Sequence, residues 1–220
     1  MVSRPYSLLM PLNNQSQQSV LCGLCGGIGS GKSYIARQFQ ALGAAVFDAD
    51  QAGHWVLRED DVKKELVSLW GTGILDEQGE VNRQAVAQIV FASDSQGQQA
   101  REQLQAISHP RIQQQLELVL TQSSEDVVVV DAALLFETGW NVVCDQVAFV
   151  DSNEELRLGR CQARGWSIDE LRRREASQWS LERKRQQADF VIENHGDSEV
   201  TQRQVQSVWQ SLSRLVREEV

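Results

Sequence analysis

Apolar residues along this chain fall into short unbroken runs separated by longer stretches with helical spacing. Residues 20–25, 127–130 and 146–150 are apolar with almost no alternation, as expected of parallel strands covered on both faces. Residues 44–47 and 189–192 predict two further strands. Between the runs the period changes: Ile35 and Phe39 share a helix face, and residues 200–216 place Val205, Val208, Leu212 and Leu215 on one stripe. From residue 61 to 123 the pattern is wholly helical, with Val62, Leu66 and Leu69 on one face and Ala85, Ile89 and Val90 on another. Breaks fall at Gly71-Thr72-Gly73 and Asp76-Glu77-Gln78-Gly79. Such an excursion between two strands predicts an inserted helical lobe over about 51–125. Ser108-His109-Pro110-Arg111 divides it, and Pro110 predicts a helix start capped by Ser108. His109 with Arg111 is then either a contact for an anionic acceptor or a plain helix boundary.

The first strand runs into Gly26-Gly27-Ile28-Gly29-Ser30-Gly31-Lys32-Ser33, and a helix follows. In that strand–loop–helix context G-x-x-x-x-G-K-[ST] predicts a phosphate cradle rather than an idle turn. Glycines let backbone N–H groups converge on phosphate oxygens, and the helix N-terminus adds partial positive charge. The binding set is Gly27, Ile28, Gly29, Ser30, Gly31, Lys32 and Ser33. Lys32 reaches the β- and γ-phosphates, and the Ser33 hydroxyl ligates Mg²⁺. The bound ligand is a nucleoside triphosphate. The fold class is therefore α/β, a parallel sheet of P-loop kinase type flanked by helices, with the helical lobe and a basic helical lid.

The second strand ends in Asp48-Ala49-Asp50. Ligands of parallel sheets gather at the carboxyl ends of the strands. The two carboxylates there can serve Mg²⁺ and an acceptor hydroxyl, and one of them can cap the next helix. Asp131, after residues 127–130, is either another acidic group near the metal or a strand-end residue.

Charge sharpens the reading of the C-terminal half. The net charge is −9, which argues against a nucleic-acid or anionic-membrane partner. Yet residues 157–185 hold nine of the 21 basic groups against four acidic ones, a local balance of +5. Arg160 and Arg164 are four apart and point the same way on a helix, while Ser167 opens a separate short helix with Glu170. The segment over about 152–187 is what a phosphate-gripping lid needs, with Arg172 to Arg174 as a solvated face.

Composition changes little else. Hydrophobic content of 41% and charged content of 23% are ordinary for a globular protein of 220 residues, about one domain. No run approaches the roughly 20 apolar residues of a membrane span. Residues 1–18 lack a signal-peptide core and are expected to be a mobile tail, leaving 19–220 as one kinase domain in the cytoplasm, a monomer or a weak homo-oligomer. Cys22 and Cys25 lie three apart on a strand and face opposite sides, so they predict buried thiols rather than a metal pair.

Taken in order, the phosphate loop, Phe47-Asp48-Ala49-Asp50, Ile107-Ser108-His109-Pro110, Leu134-Leu135-Phe136-Glu137, Arg160 to Arg164 and Ala188-Asp189-Phe190-Val191-Ile192-Glu193-Asn194 resemble the dephospho-CoA kinase family from Val20 onward. The resemblance implies transfer of the ATP γ-phosphoryl to the 3′-hydroxyl of dephospho-CoA, the last step of CoA synthesis. It implies Asp50 as the acceptor-side carboxylate, Asp48 near the metal, Arg160 and Arg164 as lid residues on phosphates, and Asn194 near adenine. His109, Arg111 and Leu134 fall on the acceptor side. The chain departs from the family's pattern at Cys25, Tyr34, Trp70 and Ala133, none of which carries a chemical role. Another small-molecule P-loop kinase is the rival reading. A GTPase switch would need an N-K-x-D run, which is absent from the sequence.

Overall fold

The computed structural model describes residues 19–92 and 94–218. The expected tail, residues 1–18, lies outside them. The first strand, β1 (Val20–Gly26), is buried at every position and passes through the glycine loop into α1 (Lys32–Ala41), which buries Ile35, Ala36 and Phe39. Gly43, at φ 108°, turns the chain into β2 (Ala45–Asp48), one residue later than the apolar run suggests.

The next residues form a separate helical unit, Ala49–Glu117. It holds α2 (Ala49–Val56), α3 (Asp60–Trp70), α4 (Arg83–Val90) and most of α5 (Ser95–Gln122). The faces differ in detail from the periodicity. On α3, Val62 and Leu66 are buried but Leu69 is 43% exposed, and on α4 the buried pair is Val86 and Val90 rather than Ala85 and Ile89. Asp76 closes the turn between them by accepting from the Gln78 and Glu80 amides, and Leu75 bridges Val81 antiparallel. The helix start at Pro110 is overturned. Pro110 lies inside the 28-residue α5, and Ser108 is no cap, because its hydroxyl donates back to the Leu104 carbonyl at 2.8 Å. A proline in a helix removes one backbone donor. Here side-chain donors on either side, Ser108 and Arg111, bond the carbonyls of Leu104 and Ile107.

The chain then completes the sheet unit with β3 (Val127–Asp131), β4 (Gln146–Asp151), the helices α6 (Glu154–Gln162), α7 (Ile168–Ala176) and α8 (Leu181–Gln186), β5 (Phe190–Glu193) and α9 (Ser198–Glu218). The five strands are parallel in the order β2-β3-β1-β4-β5. One face of the sheet, with Cys22, Leu24, Val127, Val129, Ala148 and Ile192, packs on Ile35 and Phe39 of α1 and on Val205, Val208, Leu212 and Val216 of α9. Leu215, expected on that stripe, is only partly buried. The opposite face is closed partly by Leu135 and Cys144, which lie so close to Gly23 that a Cβ there would force them to shift. Burial pushes the Cys22 and Cys25 thiols up to about 12, so both are protonated hydrophobes.

This register positions the chemistry. Asp48 pairs with Asp131 across β2 and β3, and Asp131 pairs with Leu24 across β3 and β1. Two carboxylate residues thus stand side by side at the carboxyl end of the sheet, next to the strand that leads into the phosphate loop.

Candidate active site

Gly29 and Gly31 carry positive φ, 76° and 92°, and Gly31 is the left-handed residue from which α1 starts. Both are also enclosed. A Cβ at Gly29 would lie 2.6 Å from the Arg157 carbonyl oxygen, and one at Gly31 would strike the Asn194 amide. The Ser30 amide closes the loop on the Gly27 carbonyl at 3.0 Å.

The carbonyls are held from outside. Arg157 Nη1 donates to Ile28 O at 3.3 Å, while Arg160 Nη1 donates to Gly29 O at 3.1 Å and Ser30 O at 2.9 Å. Asn194 Nδ2 adds a second donor to Ser30 O at 2.8 Å. In a trans peptide the N–H points opposite its carbonyl. Anchoring the Ile28 and Ser30 carbonyls outward therefore aims the Gly29 and Gly31 amides to the other side, as an anion cradle requires.

The expected site residues divide accordingly. Lys32 is ion-paired with Asp131, whose side chain is 8% exposed. Ser33 and Asp48 are exposed, and so is Asp50, in the first turn of α2. Arg160, expected on phosphates, has its guanidinium on the loop's backbone, on Ser152 Oγ at 3.0 Å and on Asn194 O at 3.4 Å. Burial, and then the neighbouring Arg164, lowers its pKa, although an arginine remains protonated at any physiological pH. Arg164 does not share its helix face. Helix α6 stops at Gln162, the Trp166 amide folds back onto the Cys161 carbonyl, and Gly165 takes φ 80°, which leaves Arg164 exposed beyond the end. Asn194, expected near adenine, is 7% exposed and turned inward onto the phosphate loop.

On the acceptor side, His109 is 5% exposed, and burial lowers its imidazole to about 4, so at neutral pH it is uncharged. Arg111 meets Asp61 at 2.6 Å and Glu59 at 3.2 Å. The hydrogen bond from Arg111 is what chiefly lowers the exposed Asp61. The Leu134 carbonyl accepts from Thr138, from its amide at 2.9 Å and its hydroxyl at 2.7 Å, in the loop after β3.

Two groups escape the sequence reading. Arg157 was one basic residue among nine, yet it is 5% exposed and lies against the loop. Lys184 is fully buried and meets Glu137 at 2.8 Å, Gln178 Oε1 at 3.1 Å and the Ala133 carbonyl at 3.2 Å. Glu137 in turn accepts from the Trp179 amide at 2.8 Å, and Trp179 stacks on Phe136 with ring centroids 5.5 Å apart. This polar knot ties the loop after β3 to the segment entering α8. By contrast Arg172 to Arg174 are exposed, as the solvated-face reading expects, with Glu170 meeting Arg173 and Arg174 at 2.6 Å each.

The donors present suit Mg²⁺, a hard ion that keeps waters and takes only one or two carboxylates beside phosphate oxygens. A hydroxyl (Ser33) and in-register carboxylate residues (Asp48, Asp131) are such a set. Among the described residues no three His, Cys, Asp or Glu side chains form a self-sufficient metal cluster. No described helix is long and apolar enough to cross a membrane.

Comparison with known proteins agrees with this architecture. The dephospho-CoA kinase (CoaE) family model matches residues 20–200. The dephospho-CoA kinase of Geobacillus kaustophilus is 36% identical over 200 residues, covering 87% of this chain and 98% of that protein. That of Aquifex aeolicus is 37% identical over 194 residues, covering 87% and 97%. Among solved structures, a protein of Thermus thermophilus superposes with a TM-score of 0.77 at 31% identity, over 88% of this chain and 98% of that one.

Proposed function

The chain belongs to the dephospho-CoA kinase family, and on that premise we propose that it transfers the γ-phosphoryl group of ATP to the 3′-hydroxyl of dephospho-CoA, releasing CoA and ADP. The observation that carries the substrate assignment is the family match across residues 20–200. The phosphate loop supplies the donor side of the same reading.

Phosphoryl transfer asks for alignment and for positive charge around the moving group, with little covalent chemistry from the protein. Gly27 to Ser33 hold the ATP phosphates through the amides that Arg157, Arg160 and Asn194 aim inward. Lys32 exchanges the Asp131 carboxylate for the β- and γ-oxygens, which keeps its charge satisfied in both states. Ser33 and Asp48 would hold Mg²⁺, which when bound would neutralise charge on those oxygens. Asp50 orients the acceptor hydroxyl and takes its proton. Arg160 works from behind the loop, whereas Arg164, exposed beyond α6, is the cation with freedom to meet phosphate. Asn194 serves the nucleotide by bracing Ser30. In the helical unit, Arg111 is the acceptor-side cation, steadied by Glu59 and Asp61, and the neutral His109 supports the helix that carries it. Leu134 is an apolar contact for the acceptor. A net charge of −9 disfavours nucleic acid and anionic membranes as further partners.

An ADP-release assay with dephospho-CoA, shikimate, nucleosides and nucleoside monophosphates tests the assignment. Turnover with dephospho-CoA at least ~10²-fold above the others is expected, and preference for any other acceptor overturns it.

A further inference from the structure

Arg157 stands on α6, one turn before Arg160, with its side chain 6% exposed. Its Nη1 donates both to the Ile28 carbonyl of the phosphate loop and to Glu175 in the last turn of α7. The same nitrogen would be 3.3 Å from a Cβ at Gly27, so the guanidinium is pressed on the carbonyl side of the loop. Its Nε has no hydrogen-bond partner among the described residues. Glu175 is thus the carboxylate that balances a cation which has almost no water.

We infer that Arg157 and Glu175 are a positioning pair that couples the seating of α7 to the shape of the phosphate loop, and so to nucleotide affinity. If α7 leaves its place, Arg157 is stranded as a buried charge, and its hold on Ile28 loosens. Conversely, a nucleotide that fixes the Gly29 amide fixes the Ile28 carbonyl in the same peptide unit, which keeps Arg157 and therefore α7 in place. Coupling of this kind is reciprocal. It acts on the donor side alone, because Ile28, Arg157 and Glu175 all belong to the sheet unit. The inference rests on the kinase reading of this loop.

The test is ADP binding by calorimetry, with thermal melts and steady-state kinetics, on Arg157→Met, Glu175→Met and the double variant. The double variant leaves no unpaired charge and keeps the volume, so its melting temperature should return toward that of the native protein. Its ADP affinity should nevertheless stay ~10-fold or more below native, with the KM for dephospho-CoA unchanged. Native ADP affinity in the double variant would reduce the pair to a packing feature, and so would an equal loss for both substrates. If the double variant does not fold, Glu175→Gln keeps shape and an acceptor oxygen. It should weaken ADP by ~3-fold or more while sparing the acceptor constant, and unchanged ADP binding overturns the inference. ADP binding does not depend on the acceptor. A wrong acceptor assignment would appear as a native protein that binds ADP yet does not turn over dephospho-CoA, which is a different failure.

Discussion

Lys32, the cation of the phosphate loop, is ion-paired with Asp131 at the end of the adjacent strand β3. The strand register makes this contact available, because Asp131 lies beside Leu24, two residues before the loop begins. The pair places the lysine at the phosphate end of the sheet before any nucleotide arrives. It also keeps a partly buried carboxylate balanced, since the two side chains are 15% and 8% exposed.

Replacing Lys32 with Ala should lower turnover by ~10²-fold or more, the usual loss when a transition-state charge is removed. Far-UV circular dichroism should be unchanged, since the side chain is a charge partner for Asp131 and not part of the apolar core. Turnover near the native value would remove this loop from the reaction.

The two lid arginines should separate. Arg160→Ala takes donors from the Gly29 and Ser30 carbonyls, so both the KM for ATP and kcat should suffer, together by ~10²-fold in kcat/KM. Arg164→Ala removes an exposed side chain and should lower kcat by ~10-fold with ATP affinity kept, as a contact made only in the closed, reacting state would. Indistinguishable kinetic effects would mean that the exposure of Arg164 carries no consequence.

His109 sets an expectation for acid stability. Burial holds its imidazole at about 4, against 6.5 when exposed. Between those values the unfolded chain binds a proton that the folded chain does not. Its stabilising effect is therefore complete above pH 6.5 and is lost as pH falls toward 4, by ~3 kcal/mol at most. Denaturant midpoints at pH 7.5, 5.5 and 4.5 should fall more steeply for the native protein than for His109→Gln. Parallel slopes would contradict this.

The sheet was legible because a doubly covered parallel strand needs apolar residues on both faces, and residues 127–130 and 146–150 supply them without interruption. The phosphate loop was legible because its glycines answer a backbone demand that few other residues meet. What escaped depends on partners distant in sequence. Glu175 lies 18 residues from Arg157, and Ala133 lies 51 from Lys184, so nothing local marks those two cations as buried. The end of α6 was hidden for a different reason. The Arg160–Arg164 spacing puts both on one face only if the helix continues, and Gly165 stops it. Pro110 misled because proline is far commoner at a helix start than inside one, whereas α5 runs through it without a break.

The carboxylates near the end of β2 should respond differently to metal. Asp50→Asn keeps size but cannot take the hydroxyl proton, so kcat should fall by ~10²-fold whatever the Mg²⁺ concentration. Asp48→Asn should raise the Mg²⁺ requirement and recover when metal is added, since it loses charge that extra metal partly replaces. A Mg²⁺ titration at saturating ATP and dephospho-CoA reads both. Rescue of Asp50→Asn by metal, with none for Asp48→Asn, would reverse the two roles.

The central claim is the destination of the phosphoryl group, and ³¹P NMR of the product reads it most directly. With ATP and dephospho-CoA the account predicts a new phosphomonoester resonance coupled to the ribose 3′ proton, growing in step with ADP. Coupling to the 2′ proton, or ADP formed with no new monoester, would contradict it.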